Sequence, residues 1–126
     1  ERMLASDGVQ IIKLWFSISQ EEQQDRFERI RANPLKHWKL SPVDEKSRSK
    51  WDKYTLYKEK RFSSTHTSFA PWIIVEANNK LNMRLESLRY VLSYYDYNGK
   101  DEDGIRIYPD PNIIQRYHRG LIQSEE

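Results

Sequence analysis

Val9-Gln10-Ile11-Ile12-Lys13-Leu14-Trp15-Phe16-Ser17-Ile18, closed by Ser19 and with Glu22 three residues beyond that, decides the architecture. Its β-branched and aromatic run reads as a strand buried on both faces, the usual condition in a parallel sheet. Ser19 and Glu22 have the spacing of a capping box, so a helix is expected from Gln20. Asp7-Gly8, a turn dipeptide, separates the strand from residues 1–6, which read as the end of a helix. A second short apolar strand is expected at Pro71-Trp72-Ile73-Ile74-Val75-Glu76, then a turn at Asn78-Asn79 and a helix from Lys80 to about Tyr95. That helix carries Leu81, Leu85, Leu88, Leu92 and Tyr95 on one apolar face. Strand, helix, polar helical excursion, strand and helix make half of an α/β sheet domain with two parallel strands.

The excursion between the strands is polar. The helix from Gln20 carries few apolar residues beyond Phe27 and Ile30, and Pro34 ends it. Ser41-Pro42-Val43-Asp44 is a second helix start, with serine at the N-cap and proline at the first helical position. One long helix is expected from there to about Phe62, with a thin stripe of Trp51, Tyr54, Lys58 and Phe62. Such a helix packs loosely, as a mobile flap would. Ser63 to Ser68 reads as a hydroxyl-rich loop. After Asn98-Gly99 the chain turns acidic, then irregular through Tyr108-Pro109-Asp110-Pro111. The remainder reads as an extended tail with a short helical turn near Ile113–His118.

At 126 residues the chain is one domain's worth. Without cysteine it has no disulfide framework and no cysteine-zinc site, and it suits a reducing compartment. No apolar run approaches the ~18 residues a bilayer span requires, and no signal-peptide pattern opens the chain, so a cytoplasmic location is expected. A start at Glu1-Arg2-Met3 points to a segment of something longer.

Net charge is only +2, but its distribution is uneven. Residues 1–25 sum to −3, residues 26–61 to +7 and residues 62–126 to −2. The middle third either gathers anions or is a solvated helical face, and charge alone does not choose. The glycines (Gly8, Gly99, Gly104, Gly120) fit no Gly-x-x-x-x-Gly-Lys-Ser/Thr phosphate loop. Glu76, at the end of the second strand, is a lone carboxylate and reads as an ordinary surface group rather than a magnesium ligand. His37, His66 and His118 share no helix face and make no metal site. No serine near His66 sits in a strand-turn-helix elbow, so no nucleophile is assigned. Trp38, between lysines, is the one indole placed to flank a ligand.

Asn33-Pro34-Leu35-Lys36-His37-Trp38-Lys39-Leu40-Ser41-Pro42-Val43-Asp44 carries a specific resemblance. With it, in order, occur Glu1-Arg2-Met3-Leu4, Glu21-Glu22-Gln23 through Arg26-Phe27, Trp51-Asp52-Lys53-Tyr54, Thr65 to Trp72 and Asn78-Asn79-Lys80. Together they resemble the C-terminal half of family-2 polyphosphate kinases, from residue 1 to about residue 100. The resemblance implies part of a P-loop-kinase-like, three-layer α/β/α domain over residues 1–100, with a helical lid at about 33–68 and a tail at 101–126. It implies a phosphotransferase that moves a phosphoryl group, with magnesium, between inorganic polyphosphate and a nucleoside di- or monophosphate. It also implies a homo-oligomer for the full-length enzyme, with no membrane and no nucleic acid as partner.

By match to the family motif, Arg26, Lys36 and Lys39 are expected to face phosphates from the lid, and Lys80 from the start of the last helix. No catalytic residue and no metal ligand is assigned within these 126 residues, because the family's phosphate loop and magnesium ligand lie upstream of the matching segment. The segment alone is therefore expected to be inactive. Ile30 stands between Arg29 and Arg31 where the family usually has arginine, and Leu81-Asn82-Met83 follow Lys80 where relatives are more basic. The alternative function is a non-catalytic module that binds polyanions, either polyphosphate or nucleic acid.

Overall fold

Lys13–Ser17 forms β1 and Trp72–Glu76 forms β2, paired in parallel with Leu14 opposite Ile73 and Phe16 opposite Val75. The structure, a computed structural model, describes residues 1–100 and 108–118. Residues 101–107, with the acidic stretch and Gly104, and residues 119–126, with Gly120, lie outside the described residues. Before β1 comes α1 (Arg2–Ser6), and after it α2 (Gln20–Arg31) and a 3-10 helix (Pro34–Lys39). Then come α3 (Pro42–Arg48) and α4 (Trp51–Thr65), and after β2 come α5 (Lys80–Ser93) and β3 (Ile114–Arg116).

Side chains alternate across a sheet, so Leu14, Ile73 and Val75 face one way and Trp15, Trp72 and Ile74 the other. On the first face Met83 and Tyr90 of α5 pack with Ile73, Val75 and Ile114. On the second, Phe62 of α4 is completely buried among Trp15, Trp72 and Tyr117, with ring centroids 5.2, 5.4 and 5.0 Å away. Helices therefore cover both faces of the sheet. Burying a phenylalanine contributes about 1.5–3 kcal/mol, and each well-set aromatic pair adds about 0.5–1.5 kcal/mol. Phe62 is the anchor that holds α4 to the sheet.

Four expectations need correction. The first strand is shorter than Val9–Ile18 and is not buried on both faces. Val9 and Phe16 are 46% and 51% exposed, because β1 is the terminal strand of the order β1-β2-β3 and its outer edge has no partner among the described residues.

The second correction concerns the tail. No helical turn begins at Ile113. Residues 111–113 make a turn, and Ile114–Arg116 then adds a third strand, antiparallel to β2 with Val75 opposite Ile114. Buried Glu86 of α5 fixes that strand's approach, since its Oε2 accepts the Asp110 N–H at 2.7 Å. Arg89 donates to its other oxygen at 2.5 Å.

Third, the long polar helix is two helices, broken at Ser49-Lys50. The expected loop at 63–65 instead continues α4. There the Ser63, Ser64 and Thr65 hydroxyls donate to carbonyls of Lys60 and Arg61 at 2.6–3.1 Å, the back-bonding that lets such residues sit in a helix.

Fourth, the leucine face of α5 does not meet the sheet. Leu81, Leu85, Leu88, Leu92 and Tyr95 are all exposed, Leu81 to 74%. Met83, Glu86 and Tyr90 form another stripe at helical spacing, and this one points inward.

Candidate functional site

Two helices begin at one end of the sheet. The parallel strands end at Ser17 and Glu76, where the Ala77 N–H donates to the Ser17 carbonyl at 2.8 Å. Ser19 caps α2 by accepting the Glu22 N–H at 3.1 Å. Asn79 caps α5 by accepting the N–H groups of Leu81 and Asn82 at 3.0 and 3.1 Å. The carboxyl ends of parallel strands are where α/β sheets bind ligands, and helix N-termini favour anions there.

The expected capping box at α2 is half made. Glu22 does not return to the Ser19 N–H, which instead donates to Oδ1 of Asn78 at 3.0 Å. The Glu22 carboxylate turns to Arg26, one helical turn on, at 2.6 Å, and also meets Arg29 at 3.3 Å. The Arg26 hydrogen bond, with the two guanidinium charges, holds the Glu22 carboxyl below its ordinary pKa against a smaller opposing effect of burial. The other end of Arg26 donates to the carbonyls of Ala77 and Asn78 at 2.6 and 3.1 Å. Arg26 thus braces α2 against the loop that starts α5. Sequence reasoning missed Asn78 and Glu22 in this role; the i, i+4 spacing of Glu22 and Arg26 was the available signal.

Lys80 is the first residue of α5 and is exposed, two residues from the carbonyl that Arg26 holds. Lys36 and Lys39 sit elsewhere, on the 3-10 helix beyond the far end of α2. Twelve helical residues span ~18 Å at 1.5 Å each, so α2 carries this basic turn well away from the strand ends. His37 ties the turn back, its Nε2 donating to the Arg31 carbonyl at 2.6 Å. A carbonyl only accepts, which puts the proton on Nε2. Trp38 is 78% exposed, its indole N–H on the Leu35 carbonyl and the Lys39 ammonium 5.3 Å above its ring. Among the described residues neither Lys36 nor Lys39 has an ion-pair partner, and no hydrogen bond or ion pair joins them to Arg26 or Lys80.

Beyond the basic turn, α3 opens with a complete capping box. The Asp44 N–H donates to Ser41 Oγ at 3.2 Å and the Ser41 N–H to the Asp44 carboxylate at 2.9 Å. The Ser41 N–H, and then the Ser41 hydroxyl at 2.8 Å, both donate to the Asp44 carboxylate and pull its pKa down. Between α4 and the open edge of β1 lies a cleft of about 220 Å³, lined among others by Trp15, Ile18, Gln23, Trp51, Tyr54 and Lys58.

The described residues bring together no group of three or more histidine or acidic side chains that could hold a metal ion. Glu76 is engaged locally, accepting the Asn78 N–H at 2.8 Å. Among the described residues no helix is long and apolar enough to cross a membrane.

Residues 1–103 match the family model for Polyphosphate kinase 2. The chain is 48% identical over 125 residues to NDP-polyphosphate phosphotransferase 2 of Ruegeria pomeroyi, covering 99% of this chain and 36% of that protein. It is 44% identical over 116 residues to the GDP-polyphosphate phosphotransferase of Mycolicibacterium smegmatis, covering 92% and 41%. Among solved structures, Polyphosphate Kinase 2 from Arthrobacter aurescens TC1 superposes with a TM-score of 0.64 at 37% identity, covering 67% of this chain and 30% of that one. The chain thus spans well under half the length of the relatives it matches.

Proposed function

Because the chain belongs to the polyphosphate kinase 2 family, we propose that it serves a phosphotransferase moving a phosphoryl group between inorganic polyphosphate and a nucleoside di- or monophosphate. In this reading residues 33–68 are the lid of a P-loop-kinase-like domain, and the 126 residues supply the charge that clamps phosphates. The observation that carries it is the exposed 3-10 helix, which presents Lys36 and Lys39, without ion-pair partners among the described residues, at the far end of α2. Unpaired ammonium groups in water retain their full attraction for a polyanion, whereas paired ones have spent it. Lys80, beside a braced helix N-terminus, supplies a second contact point. Arg26 serves as the brace, its guanidinium taken up by Glu22 and the Ala77 and Asn78 carbonyls.

Phosphoryl transfer rests on positioning and on neutralising charge over the phosphate oxygens. A closing basic lid supplies part of that. The 126 residues contain no Gly-x-x-x-x-Gly-Lys motif, so alone they hold no phosphate in line for attack and no turnover is expected from them. Magnesium belongs to this reading through the family, but the described residues gather no donor set for it, and no step is assigned to it here. The same reading places the enzyme in the cytoplasm as a homo-oligomer.

Titration of polyphosphate into the chain at increasing salt tests the clamp. The expected result is binding that weakens with salt and is lost in Lys36→Glu/Lys39→Glu, with helix content unchanged by circular dichroism. Equal binding by the double variant would overturn it.

A further inference from the structure

Six asparagines are present, and the structure separates one from the other five. Oδ1 of Asn33 accepts the Leu35 N–H, and Pro34 beyond it has no N–H to act as nucleophile. Oδ1 of Asn78 takes the Ser19 N–H, and Oδ1 of Asn79 caps α5. Asn82 is held within α5, followed by Met83. Asn112 bonds to the Asp110 carboxylate through both its N–H and its amide. Asn98 has none of these restraints. It is exposed, its side chain makes no hydrogen bond among the described residues, and Gly99 follows it with φ +85° and none of those residues within 4 Å of where a Cβ would lie. One 3.3 Å hydrogen bond, from the Lys100 N–H to the Tyr97 carbonyl, closes the turn.

We propose that Asn98 is a self-modification site, converting to aspartate and isoaspartate through a cyclic imide. The Gly99 backbone nitrogen attacks Cγ of Asn98, the Cγ–Nδ2 bond breaks, and ammonia leaves with the proton from the Gly99 amide. Water then opens the five-membered ring at either carbonyl, giving aspartate or a backbone lengthened by one methylene. No electrons are exchanged, and water is the only co-reactant. The attack requires the Asn98–Gly99 peptide to swing out of its turn, which a glycine at positive φ permits, with one long backbone hydrogen bond closing the turn among the described residues. The new carboxylate arises two residues from Lys100, whose ammonium already donates to the Tyr95 carbonyl and sits 3.6 Å from Asp96. The reaction therefore adds negative charge five residues beyond the end of α5.

Incubation of the folded chain in mildly alkaline buffer, followed by proteolysis and mass spectrometry, tests this. The expected result is that the peptide holding Asn98 gains one mass unit, separates into two products and accepts a methyl group from an isoaspartyl methyltransferase. Peptides holding the other five asparagines should keep their mass until the chain is unfolded. Asn98→Gln should abolish the signal, and Gly99→Ala should slow it. An unchanged Asn98 peptide, or an earlier shift at Asn78 or Asn79, would overturn the proposal.

Discussion

The backbone N–H of Trp72, the first residue of β2, donates to Nδ1 of His66, the residue just after α4, across 3.2 Å. The bond needs Nδ1 without a proton. Burial, and then the charges of Arg116 and Lys13, hold His66 below its ordinary value of 6.5. An unfolded chain takes up the proton near that value while the folded chain resists it to lower pH. Stability from this site is therefore complete above about 6.5 and falls as the pH drops through the interval below it. Melting curves from neutral to mildly acid pH should show Tm falling in that window. His66→Asn keeps an acceptor at the same place without the titration and should flatten the fall; an unaltered slope would remove His66 as its cause.

Phe62→Ala should cost about 3–5 kcal/mol, the usual loss for a buried aromatic. Its ring lies against Trp15, Trp72 and Tyr117, so tryptophan emission should shift to the red with it. Phe62→Leu, which fills more of the space, should lose less. Equal melting temperatures for Phe62→Ala and the parent would show that α4 is not held by this residue.

Much of this arrangement was legible in sequence because it is local. Ser41-Pro42-Val43-Asp44 and Asp7-Gly8 depend on neighbours within four residues, and both act as read. Other features depend on distant partners. Ser19 and Glu22 have capping-box spacing, but Asn78, 59 residues away, takes the Ser19 N–H and leaves Glu22 for Arg26. The leucine stripe of α5 and the stripe of Met83, Glu86 and Tyr90 have the same helical period, so periodicity identifies the helix but not its inward face. The inward stripe includes Glu86, which bonds to Asp110 24 residues later. The strand at Ile114–Arg116 is only three residues long, too short for a pattern of its own, and exists because β2 offers an edge.

Glu86→Ala should release the segment that leads into β3. The change leaves the Asp110 N–H and Arg89 without their acceptor, at a cost of about 1–3 kcal/mol. Amide exchange at Ile114–Arg116 should speed up before that of β1 and β2. Uniform protection across all three strands would contradict the anchoring role.

Arg26→Lys separates brace from charge. A lysine keeps the positive charge but cannot span Glu22 and the two carbonyls at once. Amide exchange of Ala77, Asn78 and Leu81 should therefore rise in Arg26→Lys nearly as far as in Arg26→Ala. If Arg26→Lys protects the loop fully, Arg26 is not a brace.

The proposed function requires residues 33–68 to act as a basic lid in phosphoryl transfer. Residues 1–126 can be exchanged for the matching segment of the Ruegeria pomeroyi relative, and polyphosphate-dependent conversion of ADP and GDP to triphosphates measured with and without Lys36→Glu/Lys39→Glu. The predicted result is an active chimera whose turnover falls by about 100-fold or more on charge reversal, the scale expected for losing groups that stabilise developing charge. A folded chimera as active with both lysines reversed would contradict the account.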